Sequence, residues 1–455
     1  MSDLADALRR TAERVAEYRR TVGERPVAPP VERADLEAAL GGPLPDEGAD
    51  PETVIEELVT AVEPGLVASA GPRYFGFVVG GSLDAATEAD VLATGWDQMA
   101  FNPVSSPAAA AAETVVAGWI RDLLGLPGDA SFGITSGAQG ANTVALAAAR
   151  HRVLSEAGWD VEQDGLTGAP PVRVLAGEER HATIDRSLRL LGMGANALEP
   201  LPAGANGAMD PDALAAALDR DGDRPTIVCA QAGNVNTGAC DDLAATTAHA
   251  SDHGAWVHVD GAFGLWAAAS PAKRHLVEGA ERAHSWAVDG HKWLNVPYDA
   301  GFVLCADRDA HAASMAYTAA YLAGTEAGSW ALESSRRARG FATWAGLREL
   351  GRGGVAELVD RCCALAERFA ERLAEIDGVE IGNEVVLNQA LASFGSDERT
   401  ERLIEAAQRD GTFWAGGTTW RGRKYMRISI SNHSTTEADV DRCVAAIERL
   451  LADIP

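Results

Sequence analysis

Between about residue 70 and residue 345 the chain alternates short β-rich apolar runs with longer helical stretches, and this alternation limits the fold more than any other feature. Residues 172–176, 226–232, 256–259 and 301–305 read as strands bounded by turn residues, and 141–157 and 182–191 read as helices between them. The pattern predicts an α/β domain with a mainly parallel sheet, whose sites lie at the carboxyl ends of its strands. Ahead of it, 2–20 reads as a helix with Leu4, Leu8, Val15 and Tyr18 on one side. A Pro- and Gly-rich stretch, 23–50, follows. Asp50-Pro51-Glu52 then opens a second helix, with Asp as cap and Pro in the first turn. This arm has little that could form a core alone and is expected to wrap a partner subunit. After about 350 come a long helix (355–376), strand-like segments and a last helix (435–452), a smaller α+β domain. The expected division is 1–70, 71–348 and 349–455.

Charge excludes two classes of partner. The chain carries 39 basic and 66 acidic residues, a net charge of −27, which repels nucleic acid and anionic membranes. The N-terminus has no apolar signal region, and the most apolar stretch, 108–120, is too short to span a bilayer. Six scattered cysteines show no framework spacing, so a reducing cytoplasm without structural disulfides is expected. His249 and His253 have zinc-like spacing but no third ligand in view, and no metal is expected.

The basic residues are almost all Arg, with Lys only at 273, 292 and 424, so any lysine chemistry has three candidates. Lys273 and Lys424 stand in solvated contexts. Lys292 stands in Ser285-Trp-Ala-Val-Asp-Gly-His-Lys-Trp293, where a short apolar run ends at a glycine and the lysine follows beside aromatic rings. Desolvation there would free the amine to attack a carbonyl. In His258-Val-Asp260-Gly-Ala-Phe-Gly264 an apolar strand ends at a carboxylate, which can pair with a protonated pyridine nitrogen. Gly261 and Ala262 leave room for a flat ring. The interval between Asp260 and Lys292 fits one strand–helix–strand step, which sets the two residues at neighbouring strand ends. Thr135-Ser-Gly-Ala-Gln-Gly-Ala-Asn142 opens a long helix with small residues, which suits a phosphate. His181 lies between a strand and a helix, where an imidazole can stack on a ring or act as an acid.

Together these residues resemble the group II pyridoxal-phosphate decarboxylases, the family of aromatic-amino-acid, histidine and glutamate decarboxylases. The resemblance runs through Gly71-Pro-Arg-Tyr-Phe-Gly76, Asn102-Pro-Val-Ser-Ser-Pro107 with Glu113, Asp289-Gly-His-Lys-Trp293 and Met426-Arg-Ile-Ser-Ile-Ser-Asn432. It implies a fold-type I, aspartate-aminotransferase-like enzyme, a homodimer, and a pyridoxal phosphate held as a Schiff base on Lys292. It further implies Asp260 as partner of the pyridine nitrogen, with Ala262 beside it, and His181 as the ring-stacking histidine. Gly137, Ala138, Ser285 and Asp289 match phosphate-site positions, although an Asp there sets two like charges together. His291 would touch the phosphate or donate a proton. Asn234 matches a stretch near the cofactor, Tyr74, Phe75 and Phe101 match the substrate pocket, and Arg427 stands where some members bind a substrate carboxylate.

The implied reaction is decarboxylation of an L-amino acid, with nearby aromatic residues hinting at an aromatic substrate. One departure qualifies it. Family decarboxylases carry a loop with a Tyr after a Tyr-Leu pair, whereas Tyr321-Leu322 here leads into Ala-Gly-Thr-Glu-Ala-Gly-Ser-Trp330 without one. The alternative is another fate of the same intermediate: oxidative deamination, aldol or lyase cleavage, or transamination.

Overall fold

The computed structural model describes residues 4–220, 224–317 and 330–454. An arm of three helices comes first: α1 (Leu4–Thr21), α2 (Arg33–Leu40) and α3 (Pro51–Val62). α3 begins at the Asp-Pro-Glu signal, where the Asp50 carboxylate accepts from the N–H groups of Glu52 and Thr53. α2 lies within the stretch read as loop; its own segment contains neither Pro nor Gly, and the breakers only flank it. Neither α1 nor α2 buries a side chain, and Leu4, Leu8, Val54, Ile55 and Leu58 of the arm are exposed.

Two helices, α4 (Asp84–Trp96) and α5 (Pro107–Leu124), lead into a seven-stranded sheet. Its strands are β1 (Ser131–Thr135), β2 (Arg173–Gly177), β3 (Leu198–Leu201), β4 (Thr226–Gln231), β5 (Trp256–Asp260), β6 (Ser285–Asp289) and β7 (Gly301–Cys305). The spatial order is β1-β7-β6-β5-β4-β2-β3. Strands β6, β5, β4, β2 and β3 run parallel; α6 (Ala138–Glu156) and α7 (Val161–Asp164) lead from β1 to β2, and the crossovers from β2 to β5 carry α8 (Ala182–Leu190), α9 (Pro211–Arg220) and α10 (Leu243–Asp252). β7 turns back without a crossover helix and inserts antiparallel between β6 and β1, followed by α11 (Arg308–Met315). Among the described residues no helix is long and apolar enough to cross a membrane.

The C-terminal part holds α12 (Gly340–Ala374), β8 (Val379–Ile381), β9 (Gln389–Phe394), α13 (Asp397–Asp410), β10 (Gly416–Trp420), β11 (Arg423–Ser429) and α14 (Glu437–Ala452). Its four strands form an antiparallel sheet in the order β10-β11-β9-β8. α12 starts earlier than periodicity suggests and breaks at Gly351 (φ 60°, ψ 179°), a conformation that a side chain disfavours.

Residues 73–75 are stitched to this C-terminal part. The Phe75 N–H donates to the Trp414 carbonyl (2.8 Å), the Trp414 N–H to that of Arg73 (3.0 Å), and the Ser429 N–H to that of Phe75 (3.0 Å). Successive residues of an extended segment face opposite ways. Tyr74 stacks on Trp414 (centroids 5.0 Å apart), whereas Phe75 packs edge-on against Phe369 (5.6 Å) and is 1% exposed. Phe75 is therefore a core residue and does not line a substrate pocket.

Candidate active site

β6 ends at Asp289, and the chain turns through Gly290 and His291 to Lys292. β5, its parallel neighbour, ends at Asp260, in register with Ala287. Lys292 Nζ lies 2.9 Å from Asp289 Oδ2. The 76–81 segment presses on the lysine's backbone: a Cβ on Gly80 would come within 1.9 Å of the Lys292 carbonyl oxygen, so only glycine permits that approach.

The N-terminus of α6 opens beside this turn. The Ala138 N–H donates to Asp289 Oδ1 at 2.6 Å, so a carboxylate stands where an N-terminal helix dipole attracts anions. A Cβ on Gly137 would lie 3.1 Å from His291 Cε1 and 3.4 Å from Asp289 Oδ1, so a side chain there would crowd the cradle that glycine leaves open. His291 Nδ1 accepts the Ala300 N–H (3.2 Å), so the neutral ring carries its proton on Nε2, 3.6 Å from Asp289 Oδ1. Burial holds His291 below the usual imidazole range, with the Asp289 charge opposing.

Asp260 is 5% exposed. Its Oδ2 accepts from Asn142 Nδ2 (3.1 Å) and Thr183 Oγ1 (3.4 Å), and its Oδ1 from the Ala262 N–H (3.3 Å). Among the described residues no Lys, Arg or His forms an ion pair with it, so a buried carboxylate stands without a counter-cation. His181 caps α8, its Nδ1 accepting the Thr183 N–H at 3.3 Å, which leaves Nε2–H free. The residue is solvent-accessible, yet enough protein surrounds the imidazole that desolvation lowers its pKa, with the nearby Asp260 charge opposing.

Arg427, on β11, donates to the Val235 carbonyl (3.1 Å) and, among the described residues, has no acidic partner; burial lowers its pKa. Three aromatic residues that the sequence did not single out stand nearby. Phe77 and Val78 both have positive φ (53° and 59°), a costly turn that sets the Phe77 ring 5.3 Å from Trp414. Tyr298 stacks on His291 at 4.2 Å; the residue is solvent-accessible, yet the protein around its phenol desolvates it and raises its pKa. Phe101 is half-buried on the segment before α5.

Two expected cofactor contacts are corrected. Ser285 begins β6, at the opposite end from Asp289 and about 13 Å away along the strand. Its buried hydroxyl meets Trp256 Nε1 and His258 Nδ1, both at 3.0 Å, so it cannot face the α6 cradle. Asn234 is 1% exposed; its amide donates to the Glu179 carbonyl (2.9 Å) and accepts from the N–H groups of Asn236 and Thr237. It fastens a turn to the segment before His181 rather than facing the cleft. His253 Nε2 pairs with Asp219 at 3.0 Å and its Nδ1 with the His249 carbonyl, which removes the zinc-like arrangement.

A buried carboxylate for a ring nitrogen, an amine, an open N-terminal cradle and the small side chain of Ala262 beside Asp260 fit pyridoxal phosphate; the Asp289 charge in the cradle is the one feature that opposes its phosphate. A family model for the pyridoxal-dependent decarboxylase conserved domain matches residues 34–393. Tryptophan decarboxylase 1 from Oryza sativa subsp. japonica is 27% identical over 96% of this chain and 91% of that protein. Phenylacetaldehyde synthase from Arabidopsis thaliana is 25% identical over 94% of this chain and 91% of that protein. The solved structure of Oryza sativa TDC with PLP and tryptamine superposes with a TM-score of 0.92 at 25% identity, covering 99% of each chain. The chain belongs to the pyridoxal-dependent decarboxylase family: it is a fold-type I carboxy-lyase whose cofactor is pyridoxal phosphate.

Proposed function

We propose that the chain converts an aromatic L-amino acid to its amine and CO2, with Lys292 as the residue that carries the cofactor. The observation that carries this reading is the pairing of Lys292 and Asp260 at neighbouring strand ends, beside an aromatic wall of Tyr74, Phe77 and Trp414. Bound there, pyridoxal phosphate supplies a protonated ring that takes up the electron pair left when the Cα–carboxylate bond breaks. Asp260 holds the proton on the ring nitrogen. The His181 ring would cover one face of the cofactor ring, and the small side chain of Ala262 would leave room on the other. The α6 N-terminus at Gly137 and Ala138 faces the phosphate, with His291 Nε2–H alongside, and the Ala138 N–H becomes available once Asp289 Oδ1 gives it up. Arg427, without an acidic partner among the described residues, orients the substrate carboxylate. Lys292 Nζ and His181 Nε2 hold the protons available to the product carbon. The aromatic wall takes the substrate side chain.

The absence of a loop Tyr after Leu322 favours a second reading, in which dioxygen would accept two electrons and water would supply the carbonyl oxygen, so that amino acid, O2 and H2O give aldehyde, CO2, ammonia and hydrogen peroxide. Residues 318–329 lie outside the described residues. The expected homodimer is part of the proposal too, supported by the exposed apolar faces of the arm and by an apolar groove of about 760 Å³ lined by Leu92, Trp96, Val115, Phe341 and Trp344. Cytoplasmic residence is proposed from the charge and cysteine pattern.

The test is a screen of the twenty amino acids with the holoenzyme, measuring CO2 and identifying products by mass spectrometry. CO2 with stoichiometric amine from Trp, Tyr or Phe supports the first reading. Aldehyde with ammonia and peroxide supports the second, and CO2 only from acidic or small amino acids contradicts the aromatic assignment.

A further inference from the structure

We propose that Trp256, Ser285, His258 and Asn142 form a directed hydrogen-bond chain that aims its donors at Asp260 and so keeps the shared proton on the cofactor's ring nitrogen. The inference concerns positioning residues behind the cofactor and does not depend on the substrate.

The links are short and continuous. Trp256 Nε1 lies 3.0 Å from Ser285 Oγ, Ser285 Oγ 3.0 Å from His258 Nδ1, His258 Nε2 2.9 Å from Asn142 Oδ1, and Asn142 Nδ2 3.1 Å from Asp260 Oδ2. Strand geometry lines up most of the chain: residues 256, 258 and 260 share one face of β5, and Ser285 pairs with His258 across to β6. Asn142 descends from α6 to close it. Ser285, His258 and Asn142 are fully buried and Trp256 is 3% exposed, so water cannot substitute for a missing link.

The direction of every bond follows from the ends. A carboxylate only accepts, so Asn142 turns its NH2 toward Asp260 and its oxygen toward His258. That oxygen requires a proton on His258 Nε2. The buried ring is neutral, its pKa pushed down to about 4, so Nδ1 is bare and accepts the Ser285 hydroxyl proton. The Ser285 oxygen then receives the indole N–H of Trp256, which can only donate. Reversing any link sets two donors or two acceptors face to face. Each bond polarises the next, and the last is charge-assisted. The arrangement also gives Ser285 a role after its exclusion from the phosphate site.

The test has two parts, both on the full-length protein. Nitrogen-15 spectra of labelled histidine should show His258 as the neutral Nε2–H tautomer, unchanged from pH 6 to pH 8. Holoenzyme carrying a cofactor labelled at its ring nitrogen should give a protonated-nitrogen signal. In His258→Leu that signal should move toward the unprotonated position, with kcat falling about 10- to 100-fold and KM nearly unchanged. His258→Gln, whose amide can accept from Ser285 and donate to Asn142, should restore both. Ser285→Ala should shift the signal in the same direction and to a lesser extent; it carries the test if His258→Leu does not fold. An Nδ1–H or doubly protonated His258 overturns the proposal. So does an unshifted ring-nitrogen signal in the variants at full cofactor occupancy.

Discussion

Asp260→Asn removes one negative charge while nearly preserving shape. The new Oδ1 can still accept from Asn142 and Thr183, which reach the present Oδ2 at 3.1 Å and 3.4 Å. What disappears is the charge opposite the ring nitrogen, together with the acceptor of the long Ala262 N–H bond (3.3 Å). Asp260 is 5% exposed, so solvent screens that charge little. Losing one preorganised electrostatic group of this kind costs a factor of about 100–1000 in rate, roughly 2.7–4 kcal/mol. In the cofactor-free protein the effect has the opposite sign. There the carboxylate is buried without an ion-pair partner among the described residues, an arrangement that opposes folding, so Asp260→Asn should hold or raise Tm. Single-turnover CO2 release at equal cofactor occupancy, with calorimetry of the cofactor-free protein, separates the two effects. Trp330, packed against His311 and Arg308 at 5.1 Å each, provides the contrast: Trp330→Ala should cost less rate. Near-normal turnover by Asp260→Asn, with an inactive Trp330→Ala, would refute the placement of Asp260 at the ring nitrogen.

Other consequences are open to simpler measurements. Glu113 and Arg336 form a two-point ion pair (Arg336 Nη2 to Oε2, 2.8 Å) with side chains 13% and 3% exposed. Glu113→Ala strands the guanidinium and should destabilise by about 3–5 kcal/mol in denaturant titrations. His258 and His311 are fully buried with pKa values pushed down to about 4 by desolvation. The folded state therefore binds fewer protons than the unfolded chain below about pH 6.5, and each ring should remove about 1.4 kcal/mol of stability per pH unit between pH 6.5 and 4. Urea titrations along that range should show the slope steepen, and His311→Gln should lessen it. The Asp289 carboxylate takes the Ala138 N–H and sets a like charge beside an incoming phosphate. Asp289→Asn should tighten pyridoxal phosphate more than pyridoxal by about tenfold in equilibrium dialysis, and an unchanged ratio would place Asp289 clear of the phosphate.

What the sequence revealed depended on how local the signal was. Lys292 and Asp260 could be placed together because each ends an apolar run and one crossover separates them, and β5 and β6 are indeed parallel neighbours. Ser285 shares a short segment with Lys292, but four strand residues carry it to the other end of β6. Tyr74 and Phe75 are adjacent in one motif, yet an extended backbone sends one toward Trp414 and the other into the core. Trp414 and Tyr298 join the cleft only through long-range packing, for which no local pattern exists. The Asn142–His258 contact likewise depends on how α6 crosses the sheet. α2 was hidden because its flanking breakers outweighed eight helix-compatible residues.

The central claim, that Lys292 carries the cofactor, has an unusually direct test because the chain has only three lysines. Lys273 reaches the Val386 carbonyl (3.1 Å) and Lys424 pairs with Glu401 (2.9 Å), neither beside Asp260 or the α6 N-terminus. Borohydride reduction of the holoenzyme, followed by peptide mapping, should place the pyridoxyl group on Lys292 alone, and Lys292→Ala should fold and remain unlabelled. A reduced adduct on Lys273 or Lys424, or a labelled Lys292→Ala protein, would contradict the account.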